Sequence, residues 1–493
     1  MDLQAAAAGS LAARLSPRYL EEHRLIPLEI DSSGTLTIAT GKVLDPTVLD
    51  ELSRLFQRPV RTVAAEAAEI RAALLAARPA TPSSVDIAAT SGNGDPVATG
   101  DLRALANEAP VIQFVNVMLL DALKAGASDV HVESTAEGLR VRTRLDGVLR
   151  DVSNIVKAHQ SGIVSRIKLL AGLDIAERRV PQDGRARLTL SEREVDLRVS
   201  TLPSLHGESV VVRILDHSTK ARGLTELGLS SELEGRLEQL IRRPTGLVLV
   251  TGPTGSGKTT TLYAALGRIN APGIKVLTVE DPVEYRLEGV TQIPVNRRAG
   301  LGFPNALRSM LRHVPDIIMV GEMRDKETAE IAVQAALTGH LVFSTLHTND
   351  AVAGITRLVD MGIESYLVSA TVEGILAQRL VRVLCDACAE AYQPEGAELS
   401  TAPDGLRKRG FRRARGCDVC AGSGYRGRRG IYELLVPSDR LRARVAQGAT
   451  LDELRTIARA DGLVSLREAA WEAAAEGVTS IAEVLRVTAE DER

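Results

Sequence analysis

A glycine-rich loop that directly follows a short apolar run places the strongest constraint on the fold of this chain. The loop and the threonine after it consist of Gly252, Pro253, Thr254, Gly255, Ser256, Gly257, Lys258, Thr259 and Thr260. The run Leu247 to Val250 predicts a buried strand before the loop, and a helix is expected to begin near Thr259. Backbone N–H groups of such a loop surround an anion, and the helix points its positive end at it. The pattern therefore predicts a site for nucleotide phosphates, with a simple glycine-rich turn as the alternative.

Two side chains of the loop have predicted roles. In loops of this pattern the lysine, here Lys258, reaches the β- and γ-phosphates of the nucleotide. The hydroxyl of the next residue, Thr259, takes a coordination position of Mg²⁺. A nucleotide and Mg²⁺ are therefore the expected ligands.

The length of 493 residues predicts about two to four domains, because a single core stops growing well below that size. Residues 1–76 alternate helix-like and strand-like stretches, which predicts a small α/β module. Residues 77–101 are rich in Pro, Ser, Thr, Gly, Asn and Ala and are predicted to form a flexible linker. Residues 102–223 predict a mixed α/β sheet domain. In residues 224–493 apolar strands alternate with helices, which predicts a parallel sheet with a nucleotide at its carboxyl edge.

Charge and hydropathy exclude several classes of protein. The 60 basic and 63 acidic residues give a net charge of −3, so there is no overall preference for nucleic acid or membranes. The most apolar helix candidate, Val111 to Leu120, is interrupted by Gln113 and Asn116 and is too short to span a bilayer. The alanine-rich start lacks the basic region and the long apolar core of a signal peptide. We therefore expect a cytoplasmic protein.

Acidic residues at the ends of two predicted strands are candidates for the chemistry. Glu322 follows the strand Ile317 to Val320 and is expected to polarise the attacking water, with a solvent-facing carboxylate as the alternative. Asp316 precedes the same strand and is expected at its opposite end. A second cluster follows another strand and is expected to hold magnesium-bound water; it consists of Glu280, Asp281 and Glu284.

Histidines and arginines supply further candidates. His347 is expected at the carboxyl edge of the strand Leu341 to Ser344, and His340 at its other end; chemistry alone leaves their roles open, because a single histidine is often structural. Arg198 and Arg213 belong to the predicted middle domain. They can neutralise γ-phosphate charge only if that domain closes over the nucleotide, which would couple ATP to domain motion. The alternative is surface charge on strands.

The four cysteines form two pairs, with 28 residues between the pairs. The pairs are Cys385 with Cys388 and Cys417 with Cys420. Each pair can supply two thiolates to a tetrahedral Zn²⁺. Redox disulfides and unrelated buried cysteines are the alternatives, although disulfides are rare in the cytosol. Because four cysteines fill every position, the predicted zinc site, in an insertion over residues 385–420, is structural.

The segment Arg407 to Arg429 is strongly basic, with one acidic residue, Asp418. Its basic residues are Arg407, Lys408, Arg409, Arg412, Arg413, Arg415, Arg426, Arg428 and Arg429. The segment is interpreted as a solvated face, a surface for anionic lipid headgroups or a nucleic-acid contact. Nucleic acid is least favoured, because only Phe411 and Tyr425 are present to stack on bases.

Several ordered motifs resemble those of the secretion ATPases, which power type II secretion systems and type IV pili. They are GPTGSGKTTT (252–261), VEDPVEY (279–285), IIMVGEMRD (317–325) and TGHLVFSTLHTND (338–350). The resemblance continues through the middle domain and covers about residues 105–490. It includes the run RVSTLPSLHGESVVVRILD (198–216).

The resemblance implies a hexameric cytoplasmic motor in which ATP hydrolysis drives domain rotation. Each subunit would contain a PAS-like middle domain and a RecA-like ATPase domain. By matched motif positions, Lys258 and Thr259 would bind phosphate and Mg²⁺, and Glu322 would be the catalytic glutamate. The other matched residues would be the γ-phosphate arginines Arg198 and Arg213, the acidic residues Glu280 and Glu284, and the histidine-box residues His340 and His347.

The four-cysteine insertion separates the chain from pilus retraction ATPases, and the compact module 1–76 favours the type II secretion ATPase. In that family the module docks on the cytoplasmic domain of a single-pass inner-membrane protein, and anionic phospholipid stimulates hydrolysis. A polytopic inner-membrane platform protein is a further expected partner, at the periphery of the inner membrane. The alternatives are a pilus extension ATPase, a nucleic-acid translocase and a nucleotide-dependent scaffold. One departure is Val314, where the family commonly has Asp, which leaves a magnesium or interface role at that position in doubt.

Overall fold

The computed structural model describes residues 105–489 except 191–192, 217–222 and 397. In the amino-terminal part it describes 23–31, 33–41, 45–66, 69–70 and the single positions 6, 11, 15, 20 and 73. The predicted linker 77–101 lies outside the described residues. The chain divides into two compact units, Met1–Ala88 and Ala89–Arg493; the finer boundaries inferred from the sequence remain predictions.

The first unit contains a three-stranded sheet and a helix. Its elements are β1 (Leu25–Ile30), β2 (Leu36–Thr40), α1 (Pro46–Phe56) and β3 (Val60–Ala64). The central strand β2 is antiparallel to β1 and parallel to β3, so α1 forms the crossover between the two parallel strands. Leu36 and Ile38 of β2 pack with Leu52 and Phe56 of α1. The predicted α/β character of this module is confirmed.

The second unit begins with a six-stranded antiparallel sheet and two helices. The elements are α2 (Ala109–Lys124), β4 (Asp129–Ser134), β5 (Gly138–Leu145), β6 (Val148–Val156), α3 (Gln160–Leu170), β7 (Gln182–Leu190), β8 (Arg193–Ser204) and β9 (Gly207–Asp216). The strand order is β6-β5-β4-β9-β8-β7. Apolar residues of both helices, such as Val115 and Ile163, share one core with the sheet. The sequence did not predict β6, α3 or β7; edge strand β7 alternates exposed and half-buried residues, so its pattern is polar.

The rest of the second unit is built on a seven-stranded sheet. Up to its sixth strand the elements are α4 (Ser231–Ile241), β10 (Gly246–Thr251), α5 (Lys258–Ile269), β11 (Val276–Glu280), β12 (Thr291–Pro294), α6 (Phe303–Leu311), β13 (Ile317–Val320), α7 (Lys326–Leu337), β14 (Leu341–Leu346), α8 (Val352–Asp360), α9 (Ser365–Thr371) and β15 (Val372–Leu384). They are followed by β16 (Glu390–Tyr392), β17 (Phe411–Arg413), β18 (Tyr425–Leu435), α10 (Asp439–Ala446), α11 (Leu451–Ala460), α12 (Leu466–Ala475) and α13 (Ile481–Thr488).

The strand order of this sheet is β12-β11-β13-β14-β10-β15-β18. All neighbouring strands are parallel except β15 and β18, which are antiparallel. Every residue of β10 is buried, as expected for a parallel strand covered by helices on both faces. The predicted parallel sheet is confirmed, and the loop after β10 lies at its carboxyl edge between β14 and β15. Among the described residues, no helix combines the length and apolarity needed to cross a bilayer.

Val314 has an unusual backbone conformation. Its φ is +50°, a left-handed conformation that is a genuine outlier for a β-branched residue, whereas Asp and Asn visit it more readily. The residue precedes β13, at the end of the strand opposite Glu322. Position 314 therefore lies at the edge of the sheet opposite the phosphate loop of its own chain.

We expect the substitution Val314→Asn to raise the free energy of unfolding by about 1 kcal/mol, because it relieves backbone strain. The Val314 side chain is 80 % exposed, so little packing is lost. Chemical denaturation of both proteins measures the difference. Val464→Asn is the matched control, since Val464 is also exposed but is not among the residues with positive φ. A decrease in stability for Val314→Asn similar to that of the control would contradict the prediction.

Candidate nucleotide-binding site

A cavity of about 470 Å³ lies at the carboxyl edge of the parallel sheet, against the loop that follows β10. The predicted site residues that line it are Arg198, Arg213, Thr254, Gly255, Gly257, Lys258, Thr259, Thr260, Glu280, Glu284, Glu322 and His347. Gly252, Pro253 and Ser256 complete the loop beside this lining. The tertiary structure therefore brings together residues from two sheets that are far apart in the sequence.

The backbone of the loop requires glycine at its first position. Gly252 has a φ of +147°, and a Cβ there would lie 2.4 Å from the carbonyl oxygen of Gln378. The Lys258 ammonium donates hydrogen bonds to the carbonyls of Gly252 at 2.7 Å and Pro253 at 3.0 Å. Burial lowers the pKa of Lys258 to about 8, although the Glu322 carboxylate acts in the opposite direction. An anion in the loop would stabilise the charged form of this lysine.

The carboxylate of Glu322 lies just beyond the end of β13 and is 16 % exposed. Its Oε2 is 2.7 Å from Arg324 Nε and 3.9 Å from His347 Nε2. Burial, followed by the charge of Lys258, lowers the pKa of His347, so its imidazole is mostly neutral at pH 7. Arg324 was not identified from the sequence, although it stands in the same motif as Glu322. The arrangement holds one carboxylate in a fixed position at the cavity, as the polarisation of a water molecule requires.

The two glutamates of the second acidic cluster have different surroundings. Glu280 is buried and accepts hydrogen bonds from the hydroxyls of Tyr263 and Thr278. Burial raises the pKa of Glu284, while the nearby charge of Arg198 and the nearby hydroxyl of Thr259 oppose that shift. Glu284, rather than Glu280, therefore adjoins the predicted magnesium position. The carboxylate of Glu280 orients Tyr263, whose hydroxyl oxygen accepts a hydrogen bond from the Glu284 backbone at 3.3 Å.

Two predicted residues lie at the amino edge of the sheet, away from the cavity. His340 Nδ1 is 3.0 Å from the carbonyl oxygen of Ala335. The carboxylate of Asp316 accepts a hydrogen bond of 2.7 Å from the backbone N–H of Lys275. Both side chains therefore stabilise turns at that edge.

The middle domain contributes Arg198 and Arg213 to the cavity wall. Arg213 Nε is 2.9 Å from Asp129 Oδ1, which fixes its guanidinium. Arg198 is half-buried, and its burial, together with the charge of Arg185, lowers its pKa. Arg428 of β18 also lines the cavity and lies 3.3 Å from Asp146 of the middle domain. Cationic groups from two domains thus surround the space in front of the loop.

Gln378 of β15 was not identified from the sequence, because an isolated glutamine in a strand has no distinguishing pattern. It is 1 % exposed, and its side-chain Nε2 donates a 2.6 Å hydrogen bond to the carbonyl of Ser256. This bond holds the middle of the loop against the neighbouring strand. The residue positions the loop without belonging to it.

Replacing Gln378 with Leu is expected to weaken nucleotide binding about tenfold, because the buried Ser256 carbonyl loses its donor and the loop relaxes. Titration with a fluorescent ATP analogue measures this change. Gln334→Leu is the matched control, since Gln334 is exposed on α7. Equal affinities for the Gln378 and Gln334 variants would contradict the positioning role.

Two cysteines stand at the start of the insertion and two at its end, and the fold brings the two pairs together. Their sulfur atoms all lie within 4.8 Å of one another, with Sγ separations of 4.0 Å for Cys385 and Cys417, 3.8 Å for Cys388 and Cys420, and 3.7 Å for Cys417 and Cys420. Sulfur atoms about 2.3 Å from a tetrahedral Zn²⁺ are about 3.8 Å apart, so the donor set fits zinc. The N–H groups of Cys417 and Gly424 donate to Cys420 Sγ, which stabilises a thiolate.

The basic segment Arg407 to Arg429 divides into two groups. Five of its residues bind groups within the chain: Arg407, Arg412, Arg413, Arg428 and Arg429. The exposed residues with no ion pair in the part of the chain that the structure describes are Lys408, Arg409, Arg415 and Arg426. The interpretation of the segment as a contact for an anionic lipid surface therefore depends on these four side chains.

Comparisons with known proteins agree with the geometry. The family model described as type II/IV secretion system protein matches residues 104–486, and the MshEN domain model matches residues 2–83. The chain is 51% identical over 394 residues to the type II secretion system protein E of Pseudomonas aeruginosa, which covers 80% of this chain and 78% of that protein. It is 48% identical over 392 residues to the type II secretion system ATPase E of Vibrio cholerae, over 79% of this chain and 78% of that protein.

Solved structures support the fold. The pilus retraction motor PilT with bound ADP is 26% identical, with a TM-score of 0.53 over 76% of this chain and 96% of that one. The Legionella pneumophila ATPase DotB, at 21% identity, has a TM-score of 0.56 over 77% of this chain and 96% of that one, and shares the fold alone. The order of motifs, the cavity and the extent of the matches lead to one assignment: this chain belongs to the type II/IV secretion system protein family.

Proposed function

We propose that this protein is a hexameric ATPase that hydrolyses ATP to drive pseudopilus assembly and protein export by a type II secretion system. The observation that carries the proposal is the shared cavity: Arg198 and Arg213 of the middle domain line it together with the phosphate loop. Hydrolysis at such a site changes the negative charge that lies between the two domains, and this change in their attraction can drive domain motion. The relatives named as type II secretion proteins support the secretion assignment.

The candidate site residues that line the cavity have distinct roles in this proposal. Lys258 and the loop N–H groups would bind the β- and γ-phosphates, and Thr259 and Glu284 would hold Mg²⁺ and its bound water. Mg²⁺ supplies charge neutralisation at the phosphate oxygens when it is bound. Glu322 orients and polarises the attacking water. Arg198 and Arg213 stabilise the charge that develops on the γ-phosphate. His347 lies beside Glu322, and Glu280 acts through Tyr263.

The proposal includes partners at the inner membrane. Residues 1–76 would dock on the cytoplasmic domain of a single-pass inner-membrane protein, and the motor would act on a polytopic platform protein. Exposed side chains of the basic segment, such as Lys408 and Arg409, would contact anionic phospholipid headgroups. The protein would therefore work at the cytoplasmic face, peripherally associated with the membrane, with zinc as a structural ion in the insertion.

Steady-state hydrolysis by the purified full-length chain tests the proposal. We expect activity that rises when the partner's cytoplasmic domain and anionic vesicles are added together, and that falls about 10³-fold in Arg213→Gln. Arg187→Gln is the control, since Arg187 lies on β7 of the same sheet and pairs with Asp196 at 2.8 Å. Negligible turnover with both additions would indicate a nucleotide-dependent scaffold. Stimulation by single-stranded DNA instead would indicate a translocase.

A further inference from the structure

Three arginines stand directly opposite one another across the middle-domain sheet. Arg185 of β7 pairs in register with Arg198 of β8, and Arg198 pairs with Arg213 of β9. Residues directly opposite on neighbouring strands share one face of the sheet, at about 4.5–5.5 Å between Cβ atoms. The three guanidinium groups therefore form a row, called here the arginine row.

Among the described residues, Arg213 at one end of the arginine row is the member that forms an ion pair. Arg213 pairs with Asp129, the next residue across the sheet. In the part of the chain that the structure describes, no carboxylate lies within ion-pair distance of Arg185 or Arg198. Like charges directly opposite on a sheet destabilise it, so an anion that binds the row would contribute stability.

The arginine row joins the nucleotide cavity to a second, larger cleft. This cleft has a volume of about 980 Å³ and shares Arg198, Arg213 and Asp281 with the nucleotide cavity. Arg185 lines the second cleft but not the nucleotide cavity, and Arg298, in the segment after β12, also lines the second cleft. Arg297 beside it is neutralised by Asp281 at 2.9 Å. In the part of the chain that the structure describes, the basic residues of the cleft without an ion pair are Arg185, Arg198 and Arg298, and Asp183 is an acidic residue of the same lining without one.

We propose that Arg185, Arg198 and Arg298 form a second phosphate-binding site in this cleft, which receives the inorganic phosphate released from the nucleotide cavity. Guanidinium groups bind phosphate through paired, charge-assisted hydrogen bonds. The attraction for an anion increases along the row, because Arg213 is paired with a carboxylate and Arg185 is not. The source of the phosphate depends on the proposed ATP hydrolysis, but binding to the cleft does not.

Thermal unfolding of the full chain, with and without inorganic phosphate, tests the site without any turnover. At a phosphate concentration about ten times the dissociation constant, we expect a rise in Tm of about 2–4 °C. Because phosphate also fits the loop itself, the measurement is repeated in Lys258→Ala, where the rise attributable to the cleft is expected to persist. In Arg185→Gln and Arg298→Gln, each in the Lys258→Ala background, the phosphate affinity is expected to fall about tenfold.

Two controls make the outcomes decisive. Arg187→Gln removes an arginine two residues from Arg185 on the same face of β7, but one that pairs with Asp196, so the phosphate response should remain. Without phosphate, Arg185→Gln should leave Tm unchanged or raise it, whereas an arginine with a purely structural role would lower Tm when replaced.

Two results would overturn the inference. One is an unchanged phosphate response in both Arg185→Gln and Arg298→Gln. The other is an ADP affinity that falls as much as the phosphate affinity in those variants, because the cleft would then be part of the nucleotide site. If the unaltered chain does not hydrolyse ATP, the proposed function is refuted, whereas a phosphate response that depends on Arg185 would still support the cleft.

Discussion

Replacing Lys258 with Ala or Glu322 with Gln is expected to lower the rate of ATP hydrolysis by about 10²- to 10⁴-fold, through different steps. Lys258→Ala removes the ammonium beside the loop carbonyls of Gly252 and Pro253, so nucleotide affinity and turnover both fall. Glu322→Gln keeps the size of the side chain and the loop. Its nucleotide affinity should therefore stay within about twofold while kcat falls, because an interaction made only in the transition state is lost.

Steady-state kinetics and equilibrium nucleotide titration separate these two effects. Glu330→Gln is the control for the charge change, since Glu330 lies on the exposed face of α7, 3.5 Å from Lys326. It should retain full activity. If the turnover of Glu322→Gln were within a factor of two of that of the unaltered chain, Glu322 would not be the residue that polarises the attacking water. Glu284, near Thr259, would then be the next candidate for that role.

Removing a structural metal from the four cysteines is expected to unfold the insertion. The stabilisation by a structural zinc is on the order of 10 kcal/mol in small domains. The described part of the insertion has little other regular structure than the two-stranded pair β16 and β17. We expect about one zinc ion per chain in freshly purified, reduced protein, and its loss in Cys420→Ser.

Elemental analysis measures the metal, and limited proteolysis measures order in residues 385–420. Cys420→Ser should be cleaved there at least about tenfold faster, since opening of the segment no longer competes with metal binding. Asp418→Asn is the control, because Asp418 is exposed in the same turn and is not part of the cysteine cluster. The prediction would be contradicted if metal-free protein were cleaved in residues 385–420 no faster than the metal-containing protein.

The local parts of the site were predictable because they depend on residues that are adjacent in the chain. Strand β10, the loop and the start of α5 follow from an apolar run, closely spaced glycines and a lysine, and the structure has them at those residues. Glu322 was found in the same way, as an acidic residue just beyond a buried strand. The pairing of the four cysteines also follows from spacing alone.

Residues that act through register or long-range packing were not predictable. Gln378 reaches Ser256 across 122 positions of sequence, and its role depends on β15 lying beside β10. The sequence did not distinguish Glu284 from Glu280, because both follow the same strand. In the folded protein Glu280 accepts a hydrogen bond from Tyr263, whereas Glu284 lies near the hydroxyl of Thr259.

By itself the amino-acid sequence determined the phosphate loop, the parallel sheet behind it and the cysteine cluster, because short-range spacing controls all three. Only the tertiary structure decided which cations surround the cavity. The pairing of β7, β8 and β9 aligns Arg185, Arg198 and Arg213, and domain packing brings Arg198 and Arg213 to the cavity at the loop. Strand register is a cooperative outcome of the whole sheet, so no single segment of this chain encodes it.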